Sequence, residues 1–337
     1  MLLIPNLKDT LSNPKKASST EFVKQIISKN ISFLSSAITL VESNNSDHKQ
    51  KATEILNGCL PYANKSVRIG ITGVPGVGKS SFIDVLGKHL TNLGKRVAVL
   101  AVDPSSSINK GSILGDKTRM NLLAQDSNAY IRPSPSGESL GGVARKTKET
   151  IVLCEAAGFD IILIETVGVG QSEIAVHNMV DFFLLLKLAN SGDELQGIKR
   201  GIMEMADAIV INKADGPNIK AAELAKNQFS KALHLYPLKE SKWTPVVTTC
   251  SSLENKGVAS VYEIVQSYVS FTKKNGYFYK HRNEQNNKWL LDTIDNAIKK
   301  QFYERNTVQE AIEAYKIKID KGEVTPFEAA QIILDLY

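Results

Sequence analysis

Arg68-Ile69-Gly70-Ile71-Thr72-Gly73-Val74-Pro75-Gly76-Val77-Gly78-Lys79-Ser80-Ser81 is the stretch that decides the fold. Its opening residues read as a buried strand. Gly73 to Ser80 then fits G-x-x-x-x-G-K-[ST], and the following run, with Phe82, Ile83, Val85 and Leu86, reads as an amphipathic helix. Glycines allow backbone dihedrals that turn successive N–H groups inward. A loop of this kind between a strand and a helix therefore forms a nest for a phosphate at a helix N-terminus. Lys79 is expected to bridge β- and γ-oxygens, and the Ser80 hydroxyl to ligate Mg²⁺. The flanking strand and helix separate this reading from that of a glycine-rich turn with a chance lysine.

Outward from this loop, apolar strands alternate with helical stretches. Strands are expected at 67–72, 96–102, 129–132, 160–165, 182–188, 208–211 and 245–249, with helices at 79–93, 143–157, 197–206, 220–233 and 258–269. This alternation predicts an α/β fold, a P-loop NTPase with a mostly parallel sheet covered on both faces. Helical extensions flank it on the N-terminal and C-terminal sides. Residues 1–63 form the first, with Phe22, Ile26, Ile27 and then Phe33, Leu34, Ala37, Ile38 at helical spacing, a polar break at 44–47, and Pro61 at the end. Residues 64–257 form the nucleotide domain, and 258–337 a C-terminal helical region. Within the latter, helices are expected at 283–302, 307–319 and 325–336. Thr307 with Glu310, and Thr325 with Glu328, have the spacing of capping boxes.

Composition excludes several classes. Of 337 residues 42% are hydrophobic and 23% charged, the balance of an ordinary globular protein. The longest apolar stretches, 161–164 and 182–186, are far too short to span a bilayer. Met1-Leu2-Leu3-Ile4 stops at Pro5 and meets Lys8 and Asp9, without the basic start and long apolar core of a secretory signal. The expectation is a cytoplasmic protein with no membrane partner. A net charge of +6 comes without a recognition motif, so it reads as a lysine-rich surface and not as a nucleic-acid site. Cys59, Cys154 and Cys250 lie far apart and, like the five scattered histidines, offer no disulfide framework or zinc spacing. Cys154 and Cys250 read as small buried hydrophobes.

Further chemistry is expected where strands end. Asn212-Lys213-Ala214-Asp215 follows the strand at 208–211. An Asp carboxylate there accepts from the N1 and exocyclic amine of guanine, whereas adenine presents an unprotonated N1 and would leave a buried charge unpaired. This makes GTP/GDP the expected ligand. Ser251-Ser252-Leu253 is placed to bring backbone N–H groups to the guanine oxygen, or else is an ordinary strand-to-loop turn. Asp103 and Glu165 end two other strands at the sheet's carboxyl edge, where doubly wound folds bind ligands. With Asp116, in a glycine-flanked loop, they are candidate metal and catalytic residues beside Lys79 and Ser80, since Mg²⁺ keeps a water shell that carboxylates hold. Gly168 is placed to offer its N–H to the γ-phosphate. The polar segment 191–200 is either a connector ending in a helix cap or a loop that reports nucleotide state to a partner.

Taken together, the segments at 73–81, 101–107, 111–120, 131–136, 165–173, 192–201 and 212–215 resemble the MeaB/ArgK family, almost continuously from 68 to 257. Members of that family are G-protein chaperones of adenosylcobalamin-dependent methylmalonyl-CoA mutase. The resemblance implies a homodimeric GTPase whose C-terminal helices form the dimerisation arm. It also implies that GTP hydrolysis gates adenosylcobalamin delivery to the mutase and protects or reactivates it. By position, Lys79 and Ser80 would serve phosphate and Mg²⁺; Asp103, Asp116 and Glu165 the metal and switch region; Asp215 with Ser251, Ser252 and Leu253 the base. Residues 192–200 would be the switch that contacts the mutase. Two departures stand out: Lys187-Leu188-Ala189-Asn190 replaces a more apolar approach to that switch, and Ser252 replaces a small apolar residue or glycine. The second is expected to be silent, because backbone groups do the recognition. Four other readings compete, one of them a nucleotide-dependent binding switch with negligible turnover. A kinase acting on a transport-system binding protein would use the same cradle. A metal-insertase GTPase needs a Cys/His depot, and a protein-targeting GTPase a methionine-rich groove; the sequence shows neither.

Overall fold

The computed structural model describes residues 14, 17–43, 45–102, 120–133, 140–166, 172–189 and 200–336. Seven parallel strands form one sheet in the order β3-β2-β4-β1-β5-β6-β7, so every pairing is parallel. They are β1 (Val67–Gly73), β2 (Val97–Val102), β3 (Ala129–Arg132), β4 (Ile161–Thr166), β5 (Phe182–Leu188), β6 (Ala208–Asn212) and β7 (Val246–Thr249). Each lies within a residue or two of its expected place. Strands buried on both faces need apolar residues at every position, which is why Ile161-Ile162-Leu163-Ile164 runs unbroken.

Alternate strand residues enter two cores. Ala98, Leu100, Ile162, Ile164, Phe183 and Leu185 pack on one side, under α1 (Ser19–Ile27), α2 (Ile31–Glu42), α3 (Ser46–Cys59) and the long helix Leu140–Ala156. Ile69, Ile71, Val99, Leu163, Leu184 and Leu186 pack on the other, against α4 (Lys79–Asn92). Ser18, Asn30 and Asn45 cap the three N-terminal helices by accepting backbone N–H bonds. The 44–47 break is thus partly the start of α3.

Further helices follow in chain order: α5 (Asn121–Ala124), α6 (Leu140–Ala156), α7 (Ser172–His177), α8 (Arg200–Met205), α9 (Ile219–Leu233), α10 (Val258–Lys274), α11 (Tyr277–Tyr303), α12 (Asn306–Asp320) and α13 (Pro326–Leu334). The short α5 and α7 were not expected from periodicity, which needs more than one or two turns to register. Of the helix expected at 197–206, α8 is the described part. The Thr307 capping box does not form: α12 begins a residue earlier, its N-cap position is Arg305, and no side chain caps it. Thr325 does cap α13, accepting from the Glu328 N–H at 3.2 Å. Two compact units emerge, one up to Arg282 and one from Asn283. Among the described residues no helix is long and apolar enough to cross a membrane.

At the amino edge of the sheet four charges are buried together. Arg282 in α11 donates to both Asp181 oxygens at 2.7 Å and to the carbonyls of Asn64 and Ser66 at 3.0 and 2.7 Å. Asp181 also accepts from the Arg68 N–H, and the Arg68 guanidinium makes a bidentate pair with Glu155 at 2.9 and 3.0 Å. Ser66 and the Asn64 N–H complete the Glu155 carboxylate. Every charge has an opposite partner and several hydrogen bonds, the condition under which buried ions are tolerated.

Helix α4 carries Asp84, Gly87, Lys88 and Thr91 at i, i+3, i+4 and i+7, one face of the helix. Asp84 accepts from the N–H groups of Leu122 and Leu123 at 3.2 and 2.8 Å, capping α5 from outside. Leu123 fills the notch at Gly87, where a Cβ would stand 2.5 Å from Leu123 Cδ1. One turn on, Lys88 and Thr91 both donate to Asp126 Oδ2 at 2.7 Å. With the Asn128 N–H on its other oxygen, and Lys88 contributing most, the Asp126 carboxyl falls from its ordinary 3.8 to about 2. A depressed folded value means this stabilisation is complete above pH 3.8 and is lost as pH falls towards 2. Lys88 is 40% exposed, so solvent screens the interaction. Asp126→Asn is therefore expected to cost about 1–2 kcal/mol at pH 7, with the gap to wild type narrowing only below about pH 4. Urea unfolding at pH 7, 5 and 3.5 checks both the size and the direction.

Candidate functional site

The strand, loop and helix read from 68–81 are present as such. β1 ends at Gly73, and α4 opens at Lys79 with Gly78 in the left-handed region at φ +92°. Gly76 has φ +77°, so two glycines of the loop hold dihedrals that other residues adopt only under strain. Lys79 is buried, and its Nζ donates to the carbonyls of Gly73 and Val74 at 3.0 and 3.4 Å, which places the ammonium across the loop. Val77 is fully buried beneath the loop, whereas Pro75, Gly76 and Ser81 face solvent. The N-terminus of a four-turn helix and a lysine thus meet at one loop, a combination that binds phosphate.

Ser80 Oγ donates to Glu165 Oε1 at 3.2 Å. The register explains the meeting: Glu165 is opposite Ile71 of β1 and Ala101 of β2, near the carboxyl ends of all three strands. One residue on, the Thr166 hydroxyl donates to that of Thr72 at 2.9 Å and ties the strand ends together. A hydroxyl and a carboxylate at this edge are the hard oxygen donors that suit Mg²⁺. Asp103, Asp116, Gly168 and residues 190–199 lie outside the described residues.

Across the loop, Asn212 ends β6, buried to 2% exposure. Its Nδ2 donates to Val77 O at 2.9 Å, so it reaches from one strand end into the phosphate loop. A Cβ on Gly78 would stand 2.9 Å from that nitrogen and 3.9 Å from Lys213 Cε. Lys213 is left-handed at φ +59° and redirects the chain towards Asp215. Asp215 Oδ2 accepts from Ser251 Oγ at 2.6 Å, and Ser251 Oγ accepts from the Glu254 N–H at 3.0 Å. The Ala214 N–H bonds the Cys250 carbonyl, so the 212–215 and 251–253 segments share one wall. Leu253 is 87% exposed at its rim. An acceptor carboxylate beside turn N–H groups is the chemistry that reads the edge of guanine.

Two engaged groups were not foreseen. Cys250, read as a packing residue, is buried and also donates its thiol to Asn212 Oδ1 at 3.3 Å. The Ser252 side chain, expected to be silent, donates to the same oxygen at 3.0 Å. The 251–253 reading concerned backbone groups and no motif marks Cys250; the adjacency of β6 and β7 brings both side chains to Asn212.

A parallel sheet with a phosphate loop after its central strand defines a P-loop nucleotide hydrolase, and the paired loops at β6 and β7 make it a GTPase. The chain belongs to the family described as methylmalonyl-CoA mutase-associated GTPase MeaB, which it matches over residues 34–307. It is 51% identical over 300 residues to a probable GTPase of Mycobacterium bovis, covering 89% of each chain. It is 42% identical over 314 residues to the mitochondrial methylmalonic aciduria type A homolog of Mus musculus, covering 90% of this chain and 76% of that one. The crystal structure of a protein named LAO/AO transport system kinase superposes with a TM-score of 0.76 at 33% identity, over 97% of this chain and 99% of the other.

Gly78→Ala should strain the backbone and drive a methyl into Asn212. The expected result is a loss of GDP affinity of about 100-fold, with the circular dichroism spectrum unchanged. Isothermal calorimetry on folded protein measures it; an affinity within threefold of wild type would contradict this geometry.

Proposed function

We propose that this GTPase works as a nucleotide-gated chaperone of an adenosylcobalamin-dependent acyl-CoA mutase, methylmalonyl-CoA mutase being the first candidate. It gates delivery of adenosylcobalamin and protects or reactivates the mutase. The observation that carries this reading is the family match across 34–307, joined to a relative named for methylmalonic aciduria. Cytoplasmic residence and absence of a nucleic-acid partner belong to the same reading.

In the reaction the phosphate loop and Lys79 bind the β- and γ-phosphates, and Asp215 with 251–253 holds the base. Ser80 and Glu165, with Asp103 and Asp116, are the proposed holders of Mg²⁺, which supplies charge neutralisation between the phosphates when bound. Gly168 and 192–200 are the proposed reporters of the γ-phosphate to the partner. Residues 1–63, 64–257 and 258–337 are the proposed divisions of labour, with a homodimer built by the last. Support for a dimer comes from α11, where Leu290, Leu291, Ile294 and Ile298 are 60%, 61%, 44% and 48% exposed on successive turns. Apolar stripes of that length seldom face water in a monomer.

A second reading, phosphoryl transfer to a protein hydroxyl, is favoured by the name of the superposable protein, a transport system kinase. Both are tested together. The chain loaded with non-hydrolysable GTP, and separately with GDP, is mixed with purified methylmalonyl-CoA mutase and resolved by size exclusion. Nucleotide-dependent co-elution is expected, and co-elution in neither state removes the chaperone reading. In parallel, γ-labelled GTP should release its label as free phosphate; label transferred to a binding protein would favour the kinase instead.

A further inference from the structure

We propose that Cys250 and Ser252 are positioning residues that hold the Asn212 amide in one orientation and so set how long a guanine nucleotide stays bound. The inference rests on reading Asn212 to Asp215 as the base-recognition segment.

An amide side chain has an accepting oxygen and a donating nitrogen, and its two orientations differ only in which faces which neighbour. At Asn212 the neighbours are decisive. Three donors converge on Oδ1: Ser252 Oγ at 3.0 Å, Cys250 Sγ at 3.3 Å and the Ser252 N–H at 3.4 Å. Flipping the amide would set its NH₂ against the Ser252 N–H, which can only donate, oblige the hydroxyl and thiol to turn and accept, and face its oxygen to the Val77 carbonyl, leaving the Ser252 N–H and the Val77 carbonyl unpaired. With the observed orientation, Nδ2 is aimed at Val77 O. Burial, with the Asp215 charge adding to it, pushes the Cys250 thiol up to about 12, so the sulfur keeps its proton and remains a donor. Ser252 contributes twice, through its backbone and its hydroxyl.

Asn212 is therefore a strut between two walls of the nucleotide site. One end is fixed at 250–252, beside Ser251, which holds Asp215. The other end is fixed in the phosphate loop at Val77. A nucleotide touching both walls benefits from their being held at a set separation, and loosening the strut should raise the dissociation rate first. The chemistry at the γ-phosphate lies on the β4 side of the loop, with Ser80 and Glu165, and does not pass through Asn212. Release and hydrolysis should consequently separate.

The test uses the full chain and stopped-flow release of a fluorescent GDP. Ser252→Ala and Cys250→Val are each expected to speed release roughly three- to tenfold, and the double variant further, as for the loss of one hydrogen bond each. Cys250→Ser should stay near wild type, because a hydroxyl donates where the thiol did. Single-turnover hydrolysis of pre-bound GTP should be unchanged in the Cys250 variants. If Cys250→Val melts early, Ser252→Ala, at a half-buried surface position, carries the test alone. Release within twofold of wild type in Ser252→Ala overturns the inference, as does an equal slowing of hydrolysis in folded Cys250→Val. Asp215→Asn, measured alongside, should shift preference from guanine to xanthine nucleotides. An unchanged base preference there overturns the base-recognition reading, and the inference with it, while a shifted preference with unaltered release overturns the inference alone.

Discussion

The parallel pairing of β1 with β4 on one side and β5 on the other constrains everything at the nucleotide edge. Its register sets Ile71 beside Glu165 and Gly73 beside Leu186, and further along the sheet sets Leu188 beside Asn212. Because the strands run the same way, their carboxyl ends share one edge, and groups far apart in sequence converge there. Reversing any one strand would send its terminal residue to the opposite edge. The arrangement leaves little room: a Cβ at Gly73 would stand 2.7 Å from the Leu186 carbonyl. Glycine at the end of β1 thus serves the sheet as well as the loop that follows it.

The opposite edge has a different character. Where the carboxyl edge carries the phosphate loop and the 212–215 and 251–253 segments, the amino edge ends in the buried charges of Arg68, Glu155, Asp181 and Arg282. Such a cluster is a weak source of net stability, since desolvation offsets much of the attraction. Removing one member is another matter, because the remaining charge would stay buried without compensation. The cluster therefore specifies which segments meet more than it strengthens their meeting. Phe278, whose ring Arg282 covers at 4.5 Å, is buried in the second core, so the first turns of α11 have both an apolar and an ionic reason to lie where they do.

Much of this was legible in the sequence because the decisive features are local. Strand order aside, the alternation of apolar runs with amphipathic ones marks each described strand, and Gly73 to Ser80 announces its own geometry. Of the two caps read from local spacing, the one at Thr325 forms. Thr307 has the right spacing for a cap, yet Arg305 occupies the capping position ahead of it. The capping of α5 by Asp84 crosses between elements and leaves no trace in either local pattern. Cys250 and Ser252 are the clearest case. One looks like a packing residue and the other like a neutral replacement, and only the pairing of β6 with β7 gives them a shared acceptor.

Arg282 closes a clasp. Its guanidinium bonds the backbone at Asn64 and Ser66, just before the first strand, so the two ends of the sheet-bearing segment are fastened at one point. The last helix to cover the sheet, α10, ends at Lys274, eight residues short of that fastening. A fragment trimmed to the sheet and its covering helices would look complete and still leave Asp181 buried with half its partners missing. The smallest piece able to fold by itself must run past the helix that ends the sheet's covering and into the next one. The first turns of α11, up to Arg282, are therefore structural parts of the nucleotide domain.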